Sequence, residues 1–279
     1  MLLDFEKLHG LGNDFIIFDG RKSDIKNYNE LAKQICDRHF GIGADGMMVV
    51  LDSNKASVKM NFYNADGSQA RMCGNGIRCF CKFVYDNKIV NEKKFSVETL
   101  AGIMKPEIFT DSYDLVYKVC VNMGKINLDP KNIPMDTNKE QFINEDFMID
   151  DFKFKLSVGA IGSIHAVIFV DDFNNLDIKD LGSKIEKHKI FKEGINVNFA
   201  KINSCDNIDV LTWERGVGQT LACGTGASTV SVLSSMINNT SKKTTINLLG
   251  GPVLIEEKED QNVYMTGPAK RICKGIYYI

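Results

Sequence analysis

Proline and tryptophan are scarce in this chain: 5 prolines and a single tryptophan occur in 279 residues. With 23 glycines and no repeat of glycine at short period, collagen-like and low-complexity classes are excluded. An excess of either charge is also missing, since 34 basic residues face 36 acidic ones. A general nucleic-acid binder carries a basic excess, so no nucleic-acid partner is expected. No apolar run approaches the ~18 residues of a membrane-spanning helix, so no membrane association is expected. Asp4, Glu6, Lys7, His9 and Asp14 interrupt the first twenty residues, which removes the apolar core of a signal peptide. The cytoplasm is the expected compartment, and its thiols are reduced. There is no Cys-x-x-Cys, and His9, His39, His165 and His188 lack ligand spacing, so no metal site is expected. No Gly-Lys-Ser/Thr follows a glycine turn, which excludes a P-loop.

Present instead is ordinary globular material, 44% hydrophobic and 25% charged, in a length that suggests about two domains. Residues 15–19 (FIIFD), 47–51, 58–63, 116–123, 166–170, 210–214, 245–249, 253–257 and 263–266 read as strands. Residues 28–39 and 177–189 read as helices. Residues 127–151, with Pro130, Pro134 and several Asn and Asp, read as a loop-rich connection.

Eight cysteines are present, and two of them sit in an internal echo. The stretch DGSQARMCGNG around Cys73 matches GVGQTLACGTG around Cys223, with Gln69 on Gln219, Gly74 on Gly224 and Gly76 on Gly226. Each block follows a strand-like run and precedes an amphipathic stretch. A repeat at about half the chain length suggests two similar domains rather than a solenoid. Each Cys is expected where a loop enters a helix. Unpaired N–H groups and the macrodipole favour an anion there and lower a thiol's pKa. Two such turns facing each other would put two activatable thiols on opposite sides of one carboxylate. That arrangement suits inversion of the adjacent carbon, with one thiolate as base and one thiol as acid. Cys36, Cys120, Cys205 and Cys273 are expected to be buried and inert, and Cys79 and Cys81 to pack.

The blocks KLHGLGNDF (7–15), GIGADG (41–46), NADGSQARMCGNGIRCF (64–80), WERGVGQTLACGTG (213–226) and MTGPA (265–269) resemble the signatures of the diaminopimelate epimerase family. The resemblance implies an α/β fold of two pseudo-symmetric domains, each a mostly antiparallel sheet wrapped around a central helix. It places one domain at residues 1–120 plus 266–279 and the other at 121–265, with the active site in the cleft between them. It implies a cofactor-independent isomerase acting on a small amino acid, and a homodimer. Cys73 and Cys223 match the family's two catalytic cysteines. His165 and Glu214 match residues that polarise the thiols and contact the reacting amino acid. Gly74, Asn75, Gly224 and Thr225 match the helix ends that hold the reacting carboxylate. Asn13, Asn64, Asn196 and Arg215 match substrate-binding positions, with Arg215 on the distal carboxylate, a task that suits a guanidinium fork.

This chain has Gly162–Ser163–Ile164–His165 where the family usually reads Gly-Asn-Pro-His. Ser163 offers only a hydroxyl where Asn would offer a donor and an acceptor, and Ile164 removes a rigid proline. Gly46 stands where some members carry Gln. Because Asn64, Asn196 and Arg215 all remain, diaminopimelate or lanthionine is the expected substrate. Another amino acid, histidine among them, is the alternative that an altered distal pocket would serve. A non-catalytic amino-acid-binding or thiol redox-sensing protein is the alternative of another class, and it would need neither His165 nor Glu214.

Overall fold

The computed structural model describes residues 2–174 and 176–279. The chain divides into two compact units, residues 1–122 with 266–279, and residues 123–265.

The first unit begins with a hairpin of strands Leu2–Gly10 and Asn13–Asp19. Leu11 and Gly12 join them, both at positive φ, the backbone that a tight two-residue hairpin requires. Helix α1 (Tyr28–Cys36) then carries the chain to strand Gly46–Leu51, which pairs parallel to Asn13–Asp19. The residues at the centres of these two strands are buried, which is why FIIF and MMVV read as unbroken apolar runs. Strand Val58–Asn64 adds antiparallel, and Gln69–Ala70 pairs back on it before helix α2 (Gly74–Asp86) begins. Helix α2 is buried from Asn75 to Tyr85 and packs on the first two strands. At the opposite edge of this sheet, strand Lys270–Tyr278 pairs antiparallel with Leu2–Gly10.

The second unit repeats the order. Strands Phe152–Ile161 and Ser163–Phe169 form a hairpin through Gly162 at φ +72°. Helix α3 (Ile178–Glu186) leads to the parallel strand Asn196–Ser204, then to Asn207–Glu214, Gly218–Thr220 and helix α4 (Gly224–Asn238). Asn13 and Ser163, Tyr28 and Ile178, Gly46 and Asn196, and Gly74 and Gly224 open corresponding elements, each pair 150 positions apart. Helix α4 is apolar or small on nearly every side, and strands of the second unit pack around it. Among the described strand pairs most are antiparallel, and a helix intervenes in each parallel pair. The fold is thus α/β, with a central helix in each unit.

Several sequence expectations need correction. Residues 127–151 are not simply a loop: they hold a 3-10 turn at Pro130–Asn132 and strand Glu145–Ile149, which pairs with Phe152–Ile161. The alternation of buried Phe147 and Ile149 is short and hidden among Asn and Asp. The helix expected to His39 stops at Cys36, because Asp37 turns extended and its carboxylate accepts from the N–H groups of His39 and Phe40. Cys205 and Cys273 are exposed and Cys120 is only half-buried, against the expectation of burial. Cys205 sits in the turn after Ser204, and Cys273 lies on the edge strand. Cys36 and Cys79 are buried, and burial pushes both thiols up to about 12.

Candidate active site

Each central helix begins at a cysteine. Cys73 is the N-cap of α2 and Cys223 the N-cap of α4, both in extended backbone, and neither side chain caps its own helix. Their carbonyls accept the first helical bonds, from Ile77 N and Ala227 N at 2.9 Å. Neither helix has an acidic residue in its first turn to neutralise the N-terminal dipole. Both ends therefore offer N–H groups and partial positive charge to an anion from outside the helix.

In the first unit, Asn13 stands beside Cys73 and Asn75. Its Nδ2 donates to Asp45 Oδ2 at 2.6 Å, which fixes the amide so that Oδ1 points toward the thiol. Cys73 Sγ and Asn75 Nδ2 lie 3.6 and 3.5 Å from that oxygen. Asp45 is itself anchored: Arg38 bridges it to Asp14 at 2.8 and 2.9 Å, and Lys7 reaches Asp14 at 2.9 Å. Burial alone would raise Asp14, but the bonds from Arg38 and Lys7 outweigh it and hold the carboxyl below its ordinary value. On the other side of Asn75, the fully buried Arg78 donates to Asn75 Oδ1 and to Gly74 O, both at 3.0 Å. Asn64 ends its strand opposite Gly46, and its Nδ2 donates to Ser68 Oγ at 2.9 Å. A Cβ at Gly46 would lie 2.8 Å from the Tyr63 carbonyl oxygen, so close strand approach explains this glycine.

In the second unit, Ser163, His165 and Thr225 come together beside Cys223. His165 Nε2 lies 2.9 Å from both Ser163 Oγ and Thr225 Oγ1, and those hydroxyls are 3.0 Å apart. Thr225 Oγ1 is 3.4 Å from Cys223 Sγ. The imidazole thus reaches this thiol through the Thr225 hydroxyl. Burial pulls His165 down to about 3, so the ring is neutral near neutral pH. Ile164 sits in register opposite Ala160, so the position where proline is usual belongs here to a regular ladder.

Asn196, Glu214 and Arg215 form a second cluster. Asn196 Nδ2 donates to Ile164 O at 2.9 Å and its Oδ1 accepts from Arg215 N at 3.0 Å. Glu214 accepts from the Thr220 hydroxyl at 2.6 Å. Arg215 is partly exposed and donates to Glu193 O at 2.8 Å. The turn around these residues is clamped by Glu186 of α3, which accepts from Trp213 Nε1 at 2.6 Å and Gly216 N at 3.0 Å. Sequence reasoning missed Asp45, Arg38, Asn198 and Glu186. Each acts on a partner far away in sequence, and no local pattern marks such residues. Among the described residues no group of three or more His, Cys, Asp or Glu is placed to hold a metal ion. Among the described residues no helix is long and apolar enough to cross a membrane.

Comparison with known proteins supplies the family. The pattern described as diaminopimelate epimerase matches residues 5–128 and 158–272. The chain belongs to the diaminopimelate epimerase family. It is 46% identical over 278 residues to the diaminopimelate epimerase of Alkaliphilus metalliredigens, covering 99% of this chain and 98% of that one. The diaminopimelate epimerase of Caldanaerobacter subterraneus is also 46% identical, over 97% of this chain and 98% of its own. A crystal structure of a Bacillus anthracis phenazine biosynthesis protein of the PhzF family shares the fold, with a TM-score of 0.73 at 12% identity and full coverage of both chains. Membership in the diaminopimelate epimerase family and the likeness to this fold agree with the two similar units described above.

Proposed function

We propose that this chain is an epimerase that inverts one α-carbon of diaminopimelate, using Cys73 and Cys223 and no cofactor. The observation that carries the reading is the pair of cysteines, each capping a central helix whose first turn lacks an acidic residue. The relatives named diaminopimelate epimerase, similar over nearly the whole chain, supply the substrate.

In this reading both helix ends offer their N–H groups to the α-carboxylate of one substrate. One thiolate removes the α-proton: the C–H bond breaks, an S–H bond forms, and the electron pair passes into the carboxylate. The other thiol gives its proton to the opposite face, forming the new C–H bond and leaving a thiolate. The sum is one inversion with no net consumption of either cysteine. The N–H groups at Gly74–Asn75 and Gly224–Thr225 stabilise the charge as it develops, which is where preorganised dipoles contribute most. Asn13 orients Cys73, and the Ser163–His165–Thr225 cluster orients Cys223. Asn64, Asn196, Glu214 and Arg215 hold the amino group and the distal end, with the Arg215 guanidinium on the distal carboxylate. The protein works in the cytoplasm, where its thiols stay reduced, as a homodimer.

The test is incubation of the reduced protein in heavy water with single stereoisomers of diaminopimelate, lanthionine and histidine. Loss of the α-proton is followed by NMR, together with inversion. Exchange and inversion of diaminopimelate are expected. Cys73→Ser and Cys223→Ser should each lower the inversion rate by about a thousandfold or more, a loss in the range for removal of a positioned acid or base. Absence of exchange with every amino acid would overturn the reading, and exchange confined to histidine would replace its substrate.

A further inference from the structure

His165 is fully buried, and its ring is held from both sides. On the Nδ1 side stands Asn198, also fully buried, with its side-chain nitrogen at 3.1 Å. The orientation of that amide is fixed independently. Asn198 Nδ2 donates to the Ala166 carbonyl at 3.1 Å, and its Oδ1 accepts from the Thr212 hydroxyl at 3.0 Å. The flipped amide would set two oxygens against each other at Ala166. An amide nitrogen only donates, so His165 Nδ1 must accept. A neutral imidazole carries one proton, which is therefore on Nε2.

The consequence lies on the other side of the ring. Nε2, Ser163 Oγ and Thr225 Oγ1 form a closed triangle with edges of 2.9, 2.9 and 3.0 Å. Among the described residues, the partners of these three side chains are one another, Asn198 and Cys223. With a bare Nε2, both hydroxyl protons could stay within the triangle. With Nε2–H, the ring proton fills one edge and one hydroxyl proton fills a second. The remaining hydroxyl proton must leave the triangle, and of the two hydroxyls it is Thr225 Oγ1 that has a further side-chain acceptor among the described residues. Thr225 Oγ1 lies 3.4 Å from Cys223 Sγ, which gives that proton an acceptor. Helix α4 makes room for this device: a Cβ at Gly226 would collide with Asn198 Oδ1 and come within 3.3 Å of the His165 ring.

We infer that Asn198 is a positioning residue: by fixing the Nε2–H tautomer of His165 it makes Thr225 a hydrogen-bond donor to the sulfur of Cys223 and so favours the thiolate there. The catalytic meaning of this relay rests on the epimerase reading, but its test does not. The neutral tautomer is read from long-range nitrogen–proton spectra of the full chain labelled in histidine. The wild type should show Nδ1 without a proton and Nε2 protonated. In Asn198→Asp, an acceptor-only carboxylate should move the proton to Nδ1. The second readout is alkylation of Cys223 by iodoacetamide against pH, followed at its own peptide by mass spectrometry in a Cys73→Ser background. Asn198→Asp and Thr225→Val should each slow alkylation at neutral pH by about tenfold, the effect of one pKa unit, and shift the profile upward. Thr225→Ser keeps the hydroxyl and should restore the wild-type profile. Should Asn198→Asp fail to fold, the wild-type spectrum and the two Thr225 variants still decide. A proton on Nδ1 in the wild type would overturn the relay. So would an unchanged profile in Thr225→Val. Loss of the epimerase reading would appear separately, as absent α-proton exchange.

Discussion

At the scale of single residues, burial of His165 has a thermodynamic consequence that needs no substrate. The imidazole is pulled from 6.5 to about 3 by desolvation, so the folded state resists a proton that the unfolded chain accepts readily. Between those two values the unfolded state binds more protons, so stability falls as pH drops from about 6.5 toward about 3. Urea unfolding at about pH 7 and about pH 5 should reveal a loss of ~2 kcal/mol from this group, the integral of that linkage. His165→Gln should lack this component of the acid limb, although it is less stable at neutral pH for want of the Asn198 contact. An acid limb equally steep in the variant would show that His165 is not its source. The residues of the half-sites were legible unevenly. Cys73 and Cys223 stood out because the chain writes the same turn twice. Asp45 and Asn198 did not, because each reaches its partner, Asn13 or His165, across paired strands. Such contacts exist only once the sheet has set its register. Ser163, expected among the substrate-binding residues, has its hydroxyl 2.9 Å from His165 Nε2 and 3.0 Å from Thr225 Oγ1, two neighbours that only the folded sheet supplies.

At the scale of elements, legibility followed burial. Strands Asn13–Asp19 and Gly46–Leu51 announce themselves because they are covered on both faces and tolerate little but apolar residues. Strand Lys270–Tyr278 was missed for the opposite reason: it is an edge strand, largely exposed, and its residues are mixed. Strand Leu2–Gly10 places Asp4 and Glu6 on one face and Lys7 on the other, which breaks the alternation that would mark it. Close packing of elements also fixes glycines that a reading by motif would assign to a ligand. Gly46 lies where the strand passes Phe62 and Tyr63, and an added Cβ would come 2.7 Å from the Phe62 ring and 2.8 Å from the Tyr63 carbonyl. The backbone atom cannot swing aside as a flexible side chain can. Gly46→Ala should therefore cost about 1–3 kcal/mol, the usual range for overpacking. A urea midpoint unchanged from the wild type would show that the strand can shift without penalty.

At the scale of the whole molecule, the duplicated order of elements gives each unit one cysteine-capped helix and one device that orients the sulfur. The devices differ in chemistry. Beside Cys73 it is an amide oxygen anchored by Asp45, an acceptor suited to a thiol. Beside Cys223 it is a hydroxyl backed by His165, which can donate to a thiolate. A duplicated scaffold with unlike partners fits a reaction that needs one base and one acid at a time. For the proposed homodimer, the first unit offers one candidate surface. Its sheet ends at Lys270–Tyr278, and that edge shows Ile272, Ile276 and Tyr278, each at least half exposed, with exposed Lys274 among them and Asp4 opposite Ile276. Leu2, 63% exposed, lies opposite Tyr278 in register and extends the same apolar surface. An open edge with apolar side chains is a template for pairing with another chain, and the charges of Lys274 and Asp4 confine the apolar part here to the end at Ile276 and Tyr278. Ile276→Lys adds a second cation beside Lys274 and removes the apolar end of this edge without touching either cysteine-capped helix. Light scattering coupled to size exclusion should show the wild type at twice its chain mass and the variant shifted toward one chain, with circular dichroism unchanged. A dimer of undiminished affinity in the variant would move the interface away from this edge, and a monomeric wild type would remove the dimer.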